Sequence, residues 1–162
     1  MQRISLIAAM SENRVIGRNN ELPWEMPADI EHFRRVTAGH SFIMGRMSYL
    51  SKDRLLSNKK SVILTHHTTD PLLPGCQRAE SLGEALSMLD EDERIFVLGG
   101  GQVFKQSISI ADYIYLTIIH AHFEGDTYFP EIDPGQWKIM KESHHKKDDE
   151  NPFDFSFLEY SR

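Results

Sequence analysis

The sequence predicts an α/β fold: a mostly parallel sheet flanked by helices and closed by an antiparallel C-terminal hairpin. Two patterns lead to it. Over residues 1–108, short apolar runs alternate with segments of helical periodicity, as strand–helix–strand units require. After Asp112 the helical periodicity stops, and apolar or alternating runs follow one another with only loops between them, as at an antiparallel edge.

Taken in order, residues 3–10 read as a buried strand and 11–26 as a polar loop. Pro27 suits the first position of a helix over 27–38, because the N–H it lacks would have no intrahelical partner there. Ile30, Phe33 and Val36 share an apolar face of that helix, and Asp29 lies at the edge of the same face. Residues 41–44 form a short strand that runs through Gly45 and Arg46 into a helical stretch ending near Lys52. A polar connection over 54–60 leads to a strand at 61–65, then to a loop over 66–75 punctuated by Pro71, Pro74 and Gly75. A short strand at 76–79 precedes a helix capped by Ser81, with Glu84 at the capping-box position. Residues 94–98 form a central strand ending in three glycines, and 102–108 are helical. Strands follow at 113–119, 137–144 and 153–160, the last two joined by a charged turn and preceded by a loop over 123–130.

Composition bounds the function. The 162 residues fit one domain, 1–162, large enough for a sizeable core. A formal net charge of −6 and the lack of a basic stripe argue against nucleic acid as a partner. Cys76 is the only cysteine, which excludes an internal disulfide and points to the reducing cytoplasm. No apolar run is long enough to span a membrane. The histidine pairs His66-His67 and His144-His145 lack a carboxylate or cysteine to complete a metal site, so no metal is expected.

Chemistry is signalled where strands end in glycine. Leu98-Gly99-Gly100-Gly101 follows an apolar strand and opens a helix, so the backbone there can approach a phosphate closely. It is not the G-x-G-x-x-G fingerprint, since Phe104 takes the place of the third glycine. Gly45-Arg46-Met47-Ser48 is a second such junction, with a guanidinium and a hydroxyl at the helix start. Together they suggest a pyrophosphate held between two helix starts. Arg46 and His66 supply the donors that a cofactor with a ribose 2′-phosphate needs.

These residues carry a family resemblance. The stretches ISLIAAM, NRVIG, LPWEMPADI, FIMGR, VLGGG, YLTII and FEGDTYFP, in this order and spacing, resemble bacterial dihydrofolate reductases nearly end to end. The resemblance implies an eight-stranded sheet with four helices, NADPH and 7,8-dihydrofolate bound in one cleft, and a cis Gly99–Gly100 peptide bond. It also implies a monomer that antifolate inhibitors would bind.

By matching position, it makes Asp29 the only ionisable side chain in the pterin pocket, where it promotes protonation of N5, with Thr117 hydrogen-bonded to its carboxylate. Leu22 and Trp24 belong to a mobile lid over 17–24, held shut by the Gly125-Asp126 turn. Ile7, Ala9, Ile30, Phe33 and Leu56 line the substrate pocket, with Lys52 at its rim. Lys59 stands where the family usually has an arginine that grips the substrate's glutamate carboxylate. The cofactor is expected against Ala9, Ile16, Gly17, Asn20, Gly45, Arg46, Met47, Ser48, Thr65, His66, Leu98, Gly99, Gly100, Gly101, Gln102, Val103, Phe104 and Thr127. Gln102 replaces a frequent arginine, which predicts a weaker preference for NADPH over NADH than the family norm. Two other readings stay open at this point: a pyrimidine reductase of riboflavin synthesis, and a non-catalytic NADPH-binding paralogue.

Overall fold

In a computed structural model describing residues 2–162, an eight-stranded sheet forms the centre of the molecule. Its strands are β1 (Arg3–Ser11), β3 (Ser41–Gly45), β4 (Ser61–Leu64), β5 (Cys76–Ala79), β6 (Arg94–Val97), β7 (Tyr113–Ile119), β9 (Lys138–His145) and β10 (Phe155–Ser161). They lie in the order β5-β4-β3-β6-β1-β7-β10-β9. Pairing is parallel from β5 through β7, while β10 runs antiparallel to both β7 and β9. The helices are α1 (Pro27–Thr37), α2 (Arg46–Leu50), α3 (Leu82–Met88) and α4 (Gly101–Ser107). Among the described residues, no helix is long and apolar enough to cross a membrane.

Burial follows from position in the sheet. The central strand β1 is covered on both faces and is apolar almost throughout, as inner parallel strands must be. The edge strand β9 is exposed along nearly its whole length and carries Lys138 and Lys141, which discourage edge-to-edge pairing. One core cluster, around Leu6, Ile95, Ile114 and Phe129, also takes in Ala85 and Leu89 at α3 and Phe104 of α4. A second, around Phe42, Ile63 and Phe96, is joined by Phe33 and Val36 of α1.

Two elements escape sequence reading. The loop over 11–26 contains β2 (Val15–Gly17), and that over 123–130 contains β8 (Thr127–Tyr128). They pair antiparallel as a ribbon beside the main sheet. Strands of two or three residues are too short to display any periodicity, so only tertiary pairing reveals them. The other expected elements lie within two residues of their predicted bounds. In α3 the Glu84 backbone N–H donates to Ser81 Oγ at 3.1 Å, but Glu84 Oε2 reaches back to the N–H of Glu80 rather than to that of Ser81.

Helix α1, which carries Asp29, has no capping side chain of its own, because Met26 occupies its N-cap. The cap comes from far along the chain. Asn151, buried in the β9–β10 turn, accepts the Ala28 N–H at 2.9 Å through Oδ1. Asp148 fixes that amide by accepting from both Asn151 N and Nδ2, at 2.7 and 3.0 Å. Asn151→Ala should therefore destabilise the protein by about 1–2 kcal/mol in urea titration, the usual effect of losing a helix cap. An unchanged midpoint would show that α1 is oriented by packing alone.

Candidate functional site

A cavity lies between α1, the C-terminal ends of the inner strands, and the loop that precedes α1. Alternation along β1 and the β1–β7 register build its floor. Ile7 and Ala9 point the same way, and Ala9 pairs with Thr117 of β7. Helical spacing turns Asp29, Ile30 and Phe33 inward from the other side, where Phe33 meets Phe42 edge-on at 5.5 Å. Leu22 closes the space from the loop, and Leu98, Gly100 and Phe104 bound its far end. Ile16, Gly17, Asn20, Ser48 and Thr127 complete that end.

The electrostatics single out one group. Burial among apolar walls pushes the Asp29 carboxyl up from 3.8 to about 6, while Thr117, facing it, favours the charged form and partly offsets the rise. Asp29 shares the cavity with other ionisable residues. Glu21, His32, Asp53 and Arg54 also line it, and both Glu21 and Arg54 are exposed to solvent at its rim. His32 stacks on Phe157 at 3.8 Å between ring centroids, and burial, helped by Arg35, lowers it to about 4, so it is neutral at physiological pH.

The glycine junctions are tightly packed at Gly45, Gly99 and Gly101. The Gly99–Gly100 peptide is cis, and Gly99 has φ +118. A Cβ there would stand 3.0 Å from the Phe104 ring, and one on Gly101 would stand 2.9 Å from Thr127 Cγ2. The Gly45 N–H donates to Gly99 O at 2.7 Å, which brings the two junctions side by side. Val103 is buried beside them, whereas Met47, His66 and Gln102 are exposed. Arg46 and Thr65 line a second hollow, where Arg46 Nε donates to Asp70 Oδ2 at 3.0 Å.

Four residues expected at the substrate lie outside the cavity wall. Trp24 is buried one layer behind it, packed on Phe123 at 5.2 Å. Leu56 packs into the second core cluster, and its neighbour Leu55 lines the cavity instead. Lys52 is exposed and pairs with Glu21 at 3.2 Å. Lys59 is bonded to Asp92, whose carboxyl is only 7% exposed. Burial alone would raise Asp92, but Lys59 holds it below the ordinary carboxylate range. A buried carboxylate claims the nearest cation more strongly than an open rim does.

Sequence reasoning also missed Ala8, Glu21, His32, Met44, Ser51, Asp53, Arg54 and Leu55 as cavity residues. His32 could have been found, since it lies three residues from Asp29 on a helix. Ser51, Asp53 and Arg54 follow α2 with no motif to mark them, and only the folded path of the chain brings them to the site.

The Asp29 shift has a sign that stability can test. Because the folded pKa lies above the unfolded one, the ionised carboxylate destabilises the fold increasingly as pH rises through about 6. The ligand-free Asp29→Asn protein should be more stable than wild type at pH 8, by up to about 3 kcal/mol. That gain should vanish below pH 4, where both side chains are neutral. Equal stabilities across the range in urea titrations would show an unperturbed carboxyl.

Comparison with known proteins bears on this arrangement. The family model described as dihydrofolate reductase matches residues 3–162. The chain is 42% identical to the dihydrofolate reductase of Bacillus subtilis (strain 168), over 98% of its own length and 94% of that protein. It is 38% identical to dihydrofolate reductase type 3 of Salmonella typhimurium, covering 98% of each. Among solved structures it resembles the dihydrofolate reductase from Enterococcus faecalis complexed with NADP(H) and RAB-propyl. That likeness has a TM-score of 0.89 at 33% identity, covering 99% of this chain and 96% of that one. The chain belongs to the dihydrofolate reductase family.

Proposed function

We propose that the protein reduces 7,8-dihydrofolate to 5,6,7,8-tetrahydrofolate with NADPH, adding a hydride at C6 and a proton at N5 of the pterin. The observation that carries this reading is Asp29, a carboxyl on an apolar cavity wall beside Thr117, with its pKa raised to about 6. Its family membership and the NADP(H) bound by its Enterococcus faecalis relative support the choice of reaction and cofactor.

Each residue then has a task. Asp29 grips the pterin N3 and 2-amino group and, with a pKa near neutrality, eases proton delivery to N5. Thr117 orients the carboxyl. Ile7, Ala9, Ile30, Phe33 and Leu55 wall the ring, and Leu22 helps exclude water above it. NADPH supplies the hydride when bound. The glycines at 45 and 99–101 suit its pyrophosphate: without side chains their backbone is open to close approach, and a Cβ on Gly45, Gly99 or Gly101 would crowd Val103, Phe104 or Thr127. Arg46 suits the 2′-phosphate, but Asp70 already holds its Nε, which favours only a modest preference for NADPH over NADH. We place the enzyme as a monomer in the cytoplasm, in keeping with its single, half-buried cysteine.

The glutamate tail of the substrate needs a cation, and Lys52 and Lys59 are both engaged elsewhere. Arg54 remains. It lines the cavity, lies over the Tyr49 ring at 5.1 Å, and has no ion-pair partner among the described residues. Arg54→Ala should raise the KM for dihydrofolate about fivefold with kcat little changed, as expected for one partly exposed ion pair. Lys59→Ala should leave KM alone and instead lower stability by about 1–2 kcal/mol, because it strands the Asp92 carboxyl. The opposite pattern in steady-state kinetics would return the tail to Lys59.

The reaction itself is tested by NADPH oxidation with and without dihydrofolate. Wild type should oxidise NADPH only when dihydrofolate is present. Asp29→Asn should bind NADPH normally, lose most turnover at neutral pH, and recover partly in acid, where solvent protonates the substrate directly. A mutant pH–rate profile that overlays the wild type would remove Asp29 from the mechanism.

A further inference from the structure

The loop over 17–22 is held in an unusual way. Asn19 and Asn20 both adopt left-handed backbone conformations, with φ of +51 and +62, which non-glycine residues rarely do in succession. The paired bonds Arg18 N–H to Glu21 O and Glu21 N–H to Arg18 O, at 2.9 and 3.0 Å, close this tight turn on itself. Asparagine tolerates the left-handed region that such a turn requires, and the surroundings hold the turn in place.

Those surroundings are two clasps on opposite sides. On one, Asp126 Oδ2 accepts the Asn19 N–H at 2.9 Å, and the Asp126 N–H donates to Gly17 O at 3.0 Å. On the other, the segment directly after α2 meets the loop residue for residue. Ser51 Oγ donates to Asn20 O at 2.8 Å, Lys52 pairs with Glu21 at 3.2 Å, and Asp53 Oδ2 accepts the Leu22 N–H at 2.8 Å. Ser51 Oγ also accepts the Asp53 N–H at 3.1 Å, which ties the two anchors together.

We infer that Asp53 is a positioning residue for hydride transfer: by holding the Leu22 backbone N–H it fixes the loop, and Leu22 with it, over the reacting end of the cavity. This inference rests on the reductase reading above. The Lys52–Glu21 pair is exposed and contributes little. The Asp53 bond is different, because a carboxylate accepting a backbone N–H at a half-buried site is a strong, directional tether. Asp53 itself touches no reacting atom and acts through Leu22.

The test uses the full-length protein with Asp53→Ala and Asp53→Asn, the latter keeping a neutral acceptor oxygen in place. Two readouts are taken: amide hydrogen exchange over residues 17–24, and single-turnover oxidation of NADPH by dihydrofolate. Asp53→Ala should speed exchange of the Leu22 amide and slow the single-turnover step, each by about tenfold, the usual scale for losing one charge-assisted hydrogen bond. KM for dihydrofolate should change less than twofold, and Asp53→Asn should recover most of the rate. Unchanged exchange, or faster exchange with an unchanged single-turnover rate, would overturn the inference. So would equal losses in both variants accompanied by a lower Tm, which would mark a purely structural role. A wild type that fails to oxidise NADPH with dihydrofolate would overturn the reductase reading and the inference with it, while the exchange arm would still report whether the clasp exists.

Discussion

An ionisable carboxyl on the wall of an apolar cavity is the constraint on which the rest of this structure depends. Asp29 is costly to bury, and its pKa of about 6 measures that cost. A wall that admitted bulk water would let the carboxyl relax to its ordinary value. The structure therefore fixes α1 from several directions: Asn151 caps it, Phe33 locks edge-on against Phe42, and His32 stacks on Phe157 of β10. Each contact comes from a different part of the chain, so the position of one oxygen pair reports on the whole fold.

The parallel sheet supplies what the carboxyl faces. Parallel strands all end at the same edge, and there Gly45 and Gly99 meet backbone to backbone. The register of β1 on β7 sets Thr117 beside Ala9, so one threonine on an otherwise apolar strand becomes the partner of Asp29. The antiparallel hairpin then serves a different purpose. It covers the β7 edge and sends Asn151 back to cap α1, which links the C-terminal turn to the helix that carries Asp29.

Most of this was legible in the sequence, for identifiable reasons. Long apolar runs such as those around Leu6, Phe96 and Leu116 have only one way to be buried, and Pro27, Ser81 and the glycine triplet punctuate the chain where elements start and stop. Asp29 stood out because a carboxylate on an apolar helix face is rare. What was not legible depends on contacts distant in sequence. The ribbon of Val15 and Thr127 has no periodicity to read. The engagement of Lys59 by Asp92, and of Arg46 by Asp70, joins residues 33 and 24 positions apart with no pattern to connect them. Motif position alone assigned Lys59 to the substrate, and it could not register that a buried acid would compete for the same cation. Arg54 and Asp53 were passed over for the complementary reason: their surroundings, not their identities, make them notable.

Whether burial holds Asp29 near neutrality is tested most directly by titrating its side-chain carboxyl by carbon-13 NMR in the ligand-free protein, with Asp29→Asn used to assign the resonance. A midpoint near 6 is expected, well above the 3.8 of a free aspartate. A midpoint near 4 would mean that the carboxyl is solvated like any surface acid, and the cavity would then have no means of easing a proton toward its substrate at neutral pH.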